Sequence, residues 1–275
     1  MRTALLTAIV GVFACGFAFA QLGDFENAPL TPGFYFNAYP SYSTASKVFD
    51  QEGESQELPE NWTAFMVGLR PAYYGLANNH RWALTALVPY ASFDNGVSDP
   101  QSGIGDMQAA AAYWLLDNYN KWHNLSIWFW TDIPTGDDEN GLGTGQMNLR
   151  PGLAYCWDKY PMQVQSSVYY NLRMKNGDTE YKPGNELWWN FALGYGFQPR
   201  LSGSLEMETG WGSDAKLNDE TITDSKESWF KVGPAFAYNI SPNFGFKVKG
   251  LYNAFGKNTA QSMDIWARLT YSFTK

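Results

Sequence analysis

Cysteine is nearly absent. The 275 residues hold two, Cys15 and Cys156, and only Cys156 lies beyond the first twenty positions. One cysteine closes no internal disulfide and builds no metal or redox framework, so stability must come from the folded backbone and its packing. Histidine is equally scarce. His80 and His123 are two in number and about forty residues apart. They offer neither the paired ligands of a metal site nor a nucleophile and base held within hydrogen-bond reach. Positive charge is in deficit too, with 19 Lys and Arg against 27 Asp and Glu. A surface of that sign repels nucleic-acid phosphates. Long apolar runs are missing as well. After residue 20 the longest is Ala109 to Leu116, eight residues, where a spanning helix needs about twenty.

What is present begins with an export signal. Arg2 supplies the positive start, Leu5 to Phe17 the apolar stretch, and Ala18-Phe19-Ala20 a small-x-small cleavage site. The segment 1–20 is therefore expected to be removed, leaving 21–275 as one domain. Loss of Arg2 leaves 18 cations against 27 carboxylates, a net charge of −9. The alternative is lipoprotein processing at Cys15, where Phe13 is bulky for a lipobox. Aromatics reach 17%, yet mean hydropathy is only −0.35. That mixture suits a barrel with an aromatic, lipid-facing outside and a polar inside.

Alternation with a period of two supports this. Met263, Ile265, Ala267, Leu269, Tyr271 and Phe273 face one way, and Asp264, Trp266, Arg268, Thr270 and Ser272 the other. Strands are expected near 31–42, 61–76, 81–91, 105–116, 122–133, 146–156, 162–173, 185–197, 201–212, 227–240, 244–255 and 261–273. The expected fold is all-β: a membrane β-barrel of about twelve antiparallel strands. Tight connections such as Ala77-Asn78-Asn79-His80 and Ser241-Pro242-Asn243 alternate with longer polar ones at 43–60, 92–104, 134–145, 174–184, 213–226 and 256–260. Short periplasmic turns and longer extracellular loops give that order in a bacterial outer membrane. A secreted sandwich or jelly roll gives no such sorting. Trp62, Trp82, Trp122, Trp211 and Trp229 fall near strand ends, where headgroups suit them.

The inward positions carry the chemistry. Arg70, Arg150, Arg173, Lys231, Lys247, Lys249 and Arg268 are expected inside, with Asp106, Asp132, Glu186, Glu206, Glu208 and Asp264. Read one way, they are an ion-paired filling that stiffens the barrel. Read the other way, they line a channel and select solutes. The run Gly141-Leu142-Gly143-Thr144-Gly145 precedes no helical pattern and no GK[ST], so it reads as an outer loop and not a nucleotide cradle. The acidic residues of 50–57 and 137–139 match no EF-hand and read as solvated loops.

Four stretches come in a set order: Val88-Pro89-Tyr90, Gly103-Ile104-Gly105-Asp106, Pro134-Thr135-Gly136-Asp137, and Gly141-Leu142-Gly143-Thr144-Gly145-Gln146. In this the chain resembles the "MetA-pathway of phenol degradation" family of transporter-like outer-membrane barrels. The resemblance implies passive uptake of small molecules, aromatic or hydrophobic ones among them. It also implies lipid and the barrel-assembly machinery as partners, and no cofactor. Such barrels commonly end on an aromatic residue, whereas here Phe273 is followed by Thr274 and Lys275. Barrels of the long-chain fatty-acid type carry an N-terminal plug, for which Gln21 to Leu30 is short. Two rivals stand beside the channel: a structural or adhesive barrel with an occluded lumen, and an outer-membrane lipid hydrolase.

Overall fold

The computed structural model describes residues 31–96, 99–117 and 122–273. The expected signal segment, with Cys15, lies outside them. Twelve long strands form one antiparallel sheet. They are β1 (Gly33–Phe49), β2 (Ser55–Ala77), β3 (His80–Asp94), β4 (Met107–Asp117), β5 (His123–Ile133) and β6 (Asn148–Lys159). Then come β7 (Met162–Arg173), β8 (Glu186–Gln198), β9 (Leu201–Gly212), β10 (Ser228–Ser241), β11 (Phe244–Lys257) and β12 (Met263–Ser272). Each pairs with its sequence neighbours, and β12 returns to β1 to close the barrel. Closure leaves no unpaired sheet edge along the wall, which lipid demands of any spanning backbone.

Short turns gather at the end where β1 begins and β12 finishes. The tightest is Asn78-Asn79, with φ of 50° and 65°. Both values are left-handed, as a two-residue type I′ hairpin requires, and asparagine tolerates them. The longer connections lie at the opposite end. The ladder runs further into them than expected: residues 101–104 of the expected loop 92–104 pair with β3, and 259–260 of 256–260 pair with β1. The segment 43–60 is not a loop: β1 and β2 run on as a hairpin, leaving only 50–54 as its tip. A bulge between Ala45 and Lys47 offsets the register, and Lys47 Nζ lies 3.0 Å from Glu57 Oε1. Asp50 shapes the tip by accepting from the backbone N–H groups of Glu52 (3.0 Å) and Glu54 (2.8 Å). The loops 174–185 and 213–227 also meet in a small three-stranded sheet of 181–182, 216–217 and 220–221.

Prolines punctuate the wall. Four interruptions in the ladder leave the register unchanged, and each falls on a proline: Pro40 between β1 and β12, Pro71 between β2 and β3, Pro151 between β6 and β7, and Pro234 between β10 and β11. A proline has no N–H to donate. One missing donor removes both the close pair at the proline and the wide pair beside it, and two successive pairings are indeed lost each time. At Pro71 the inner side chains compensate, since Thr85 Oγ1 donates to the Pro71 carbonyl at 2.8 Å.

The outer face is apolar. Leu193, Leu205, Leu269, Ile265, Val168 and Phe236 are among its exposed side chains. Trp122 and Trp211 are exposed near strand ends, and Lys159 Nζ sits 4.3 Å from the Trp122 ring centre. Trp62 and Trp229 correct the expected belt. Trp62 is buried inside, and Trp229 packs against the inner aromatic cluster. Both share the parity of inward residues, Trp62 with Ala64 and Met66, Trp229 with Lys231.

Candidate functional site: the barrel interior

The inward positions sort into two unlike walls. On β2 to β10 one register row reads Tyr74, Ala83, Ala112, Trp128, Gly152, Tyr169, Trp188, Gly210, Trp229. Large rings stand beside residues with little or no side chain. The small members are needed: a Cβ at Gly152 would lie 2.1 Å from the Tyr169 ring, and one at Gly210 would lie 2.6 Å from the Trp229 ring. Tyr74 is three residues from the short-turn end of β2, while Trp229 is the second residue of β10 at the long-loop end. Barrel strands tilt, so a row perpendicular to them climbs the wall. Trp114, Trp130 and Tyr35 thicken this staircase. Successive rings touch: Tyr74 and Trp114 centres are 5.8 Å apart, Trp114 and Trp128 5.8 Å, Trp128 and Trp130 5.9 Å, and Trp188 and Trp229 6.4 Å. These are ordinary packing separations for aromatic pairs.

Two guanidinium groups lie against the staircase. Arg70 Cζ is 4.8 Å from the Trp130 ring centre and 5.9 Å from that of Trp128. Arg150 Cζ is 4.8 Å from that of Trp188. A cation over a ring face is attracted by its quadrupole, the more so when desolvated, and both arginines are buried. Arg70 Nε donates to Thr85 Oγ1 at 3.0 Å. Arg150 Nη2 donates to Asp132 Oδ1 at 2.6 Å, and Asn148 Nδ2 to Asp132 Oδ2 at 3.3 Å. Arg173 Nη2 donates to both oxygens of Glu186 at 3.1 Å.

The other wall, on β9 to β12, is ionic. Glu206 pairs with Lys247 and, at 3.5 Å, with Lys249; Glu208 pairs with Lys249; Lys231 Nζ meets Asp264 Oδ2 at 2.6 Å. Glu206 and Glu208 reach past β10 to β11. Glu206 is opposite Gly233 on β10 and Lys249 is opposite Ala235, both small, while Lys231, opposite Glu208, turns its ammonium to Asp264 on β12. Lys249 Nζ also lies 4.3 Å from the Trp266 ring centre. Lys247 is in register with Arg268, which is half-buried toward the short-turn end. Buried charges persist in such a place only when paired and hydrogen-bonded.

Asp106 stands apart from both walls. It is the hub of the 134–147 loop at the long-loop end. Its Oδ1 accepts from the N–H groups of Thr135 (3.1 Å) and Gly136 (3.0 Å), and its Oδ2 accepts from Thr144 N–H (2.7 Å) and Thr144 Oγ1 (2.8 Å). The loop folds over a cavity of about 50 Å³ that reaches down to Gln108, Asp132 and Arg173. His80 Nδ1 lies 2.9 Å from the Trp114 carbonyl, and His123 Nδ1 2.7 Å from Tyr155 Oη. Cys156 is a buried free thiol on the inner face of β6. Among the described residues no three His, Cys, Asp or Glu side chains group as a metal site.

The inner aromatics escape an apolar-outside reading. Trp128 and Trp130 share parity with Asp132, Tyr169 with Asn171, and Trp188 with Glu186 and Asn190. Counting parity from the charged residue would have placed every one of them inside.

The family described as "Putative MetA-pathway of phenol degradation" matches over residues 45–269. The chain belongs to this family. No curated protein matches the chain. Among solved structures, the COG4313 outer membrane channel from Pseudomonas putida F1 superposes with a TM-score of 0.80 at 16% identity, over 93% of this chain and 100% of that one. The NanC porin gives 0.52 at 11% identity, over 87% and 100%. The translocator domain of the autotransporter NalP from Neisseria meningitidis gives 0.50 at 10%, over 99% and 98%. At these identities the likeness is one of fold, and the fold of this family member is that of outer-membrane barrels.

Proposed function

We propose that this family member is a passive outer-membrane channel for small molecules, aromatic or hydrophobic compounds among them. The observation that carries the reading is the closed barrel whose inner face holds an interlocked ladder of charges opposite a climbing row of rings. The family description, which names phenol degradation, supports an aromatic solute. In this reading the permeation path is lined by Arg70, Asp132, Arg150, Arg173, Glu186, Glu206, Glu208, Lys231, Lys247, Lys249, Asp264 and Arg268, with Asp106 holding the outer loop. Diffusion needs no cofactor. Bilayer lipid meets the outer face, and Phe273, exposed at the end of β12, supplies the aromatic signal for barrel assembly.

One observation favours the rival, a structural barrel with a filled interior. Trp114, Trp130 and Tyr169 are sealed from solvent. Planar bilayers separate the two. Discrete conductance steps from the purified protein, with faster uptake of phenol into vesicles that contain it, are the expected result. Silence in bilayers with correctly folded protein would leave the filled barrel.

A further inference from the structure

The cavity under the 134–147 loop has an unusual lining. Its apolar side includes Met66, Phe93 and Leu142. Its polar side brings Asp106, Asp132 and Arg173, and all three are engaged by the bonds given above. Gln108 differs. It is 4% exposed and lines the cavity, and its side-chain amide has no hydrogen-bond partner among the described residues. A buried polar atom left unmatched is costly, and native structures almost always supply a partner. A group entering the cavity can supply it.

The chemistry of that partner is constrained. Oxygen and nitrogen of a glutamine amide can exchange places by a flip. A hydroxyl satisfies either arrangement, donating to the oxygen or accepting from the nitrogen. An anion would meet two carboxylates in the lining, and a cation would find them already occupied. A neutral hydroxyl on an apolar body fits.

Size points to the moving part. About 50 Å³ takes a hydroxyl and the few atoms beside it, whereas benzene occupies an engineered protein cavity of ~150 Å³. Leu142 lines the cavity from the loop, so a larger solute must move it. Its Cδ1 would lie 2.8 Å from a Cβ built on Gly103, and its carbonyl oxygen 3.0 Å from one on Gly105. The loop is thus fitted closely over glycines, while Leu142 lies in the stretch 134–147, which holds no strand or helix, its N–H donating to the Asp137 carbonyl at 2.7 Å.

We propose that this cavity is a recognition site for small neutral alcohols and phenols, in which Gln108 takes the hydroxyl and Leu142 is the apolar gate that the solute displaces. The inference rests on the channel reading for its purpose but not for its measurement.

Fluorine NMR tests it on detergent-solubilised protein, with 4-fluorophenol, 4-fluorotoluene and 4-fluorobenzoate as probes. Saturable line broadening is expected for the phenol alone. Gln108→Leu should weaken it about fivefold or more, the worth of one hydrogen bond. Leu142→Ala should strengthen it, because less apolar contact must be broken. This loop variant keeps the proposal testable if Gln108→Leu does not fold, as judged by heat-modifiable migration in gels. Equal broadening by phenol and toluene overturns the proposal. So does an unchanged phenol affinity in either folded variant. Silent bilayers with the Gln108 effect intact would instead defeat the channel reading and leave the site standing.

Discussion

Lys249 shows what a single inner residue does. It is tied to Glu208 and Glu206 and lies against Trp266, and Lys247 shares Glu206 with it. Truncating one partner strands the other's charge in a place water barely reaches, at a cost of about 3–5 kcal/mol. Lys249→Met should therefore lower unfolding stability by that order. Lys247→Glu with Lys249→Glu should be worse, since four carboxylates then crowd one patch. Exchanging all four, with Glu206→Lys and Glu208→Lys added, should restore much of the loss. Denaturant titration of protein refolded in detergent reads each step; a four-fold variant no better than the double one would mean that the pairs do not hold this wall. Parity in the sequence places these long side chains inside. It does not reveal that Glu206 passes over β10, because that depends on Gly233 standing opposite Glu206 and Ala235 opposite Lys249. The sequence alone likewise gives Asp106 an inward direction, while the structure makes it a loop hub, since four backbone and hydroxyl donors from distant residues converge on it.

Strands are the most legible elements. Alternation and turn residues put β7 and β9 at their observed limits, 162–173 and 201–212. The hairpin tip is where that reasoning fails. Acidic and polar residues between 43 and 60 resemble a solvated loop, yet a bulge and the Lys47–Glu57 pair carry the ladder on. The tip makes a pH prediction. Asp50 is held below the ordinary carboxylate range, first by the N–H of Glu54, then by Gln56 Nε2 and the N–H groups of Glu52 and Gly53. A carboxyl depressed in the folded state adds stability above its unfolded pKa and loses it as pH falls through the lower folded value. Amide exchange at 52–54 should therefore be flat from pH 7 to 5, beyond its intrinsic pH dependence, and should speed up only in strong acid. Asp50→Asn keeps an accepting oxygen, so the turn should persist without that acid limb. An acid limb unchanged in Asp50→Asn would assign it to another group.

At the scale of the whole molecule, one barrel meets two media with opposite demands. Outside, lipid accepts apolar side chains and offers hydrogen bonds to none. Inside, rings and paired charges share the space: most rings stand on β2 to β10 with Arg150–Asp132 and Arg173–Glu186 among them, and the Glu206–Glu208–Lys247–Lys249 ladder stands on β9 to β11. The adjoining residues Ser204 and Leu205 on β9 test this division with the same substitution. Leu205 is 53% exposed on the outer face. Ser204 faces inward and donates to Glu206 Oε1 at 2.8 Å. An arginine on the lipid face near the bilayer midplane costs about 2–4 kcal/mol. Leu205→Arg should lose that much when the protein refolds into phosphatidylcholine vesicles. It should lose far less in detergent micelles, whose surface deforms around the charge. Ser204→Arg gives up the hydroxyl's bond but sets a cation beside the Glu206 carboxylate it was made to, so its loss should be smaller in vesicles and similar in both media. The comparison between media matters more than either value. A packed soluble core would penalise Leu205→Arg equally in micelles and vesicles, whereas a lipid-facing wall makes the penalty depend on the lipid. Equal penalties in the two media, or a larger vesicle loss for Ser204→Arg, would turn the barrel inside out.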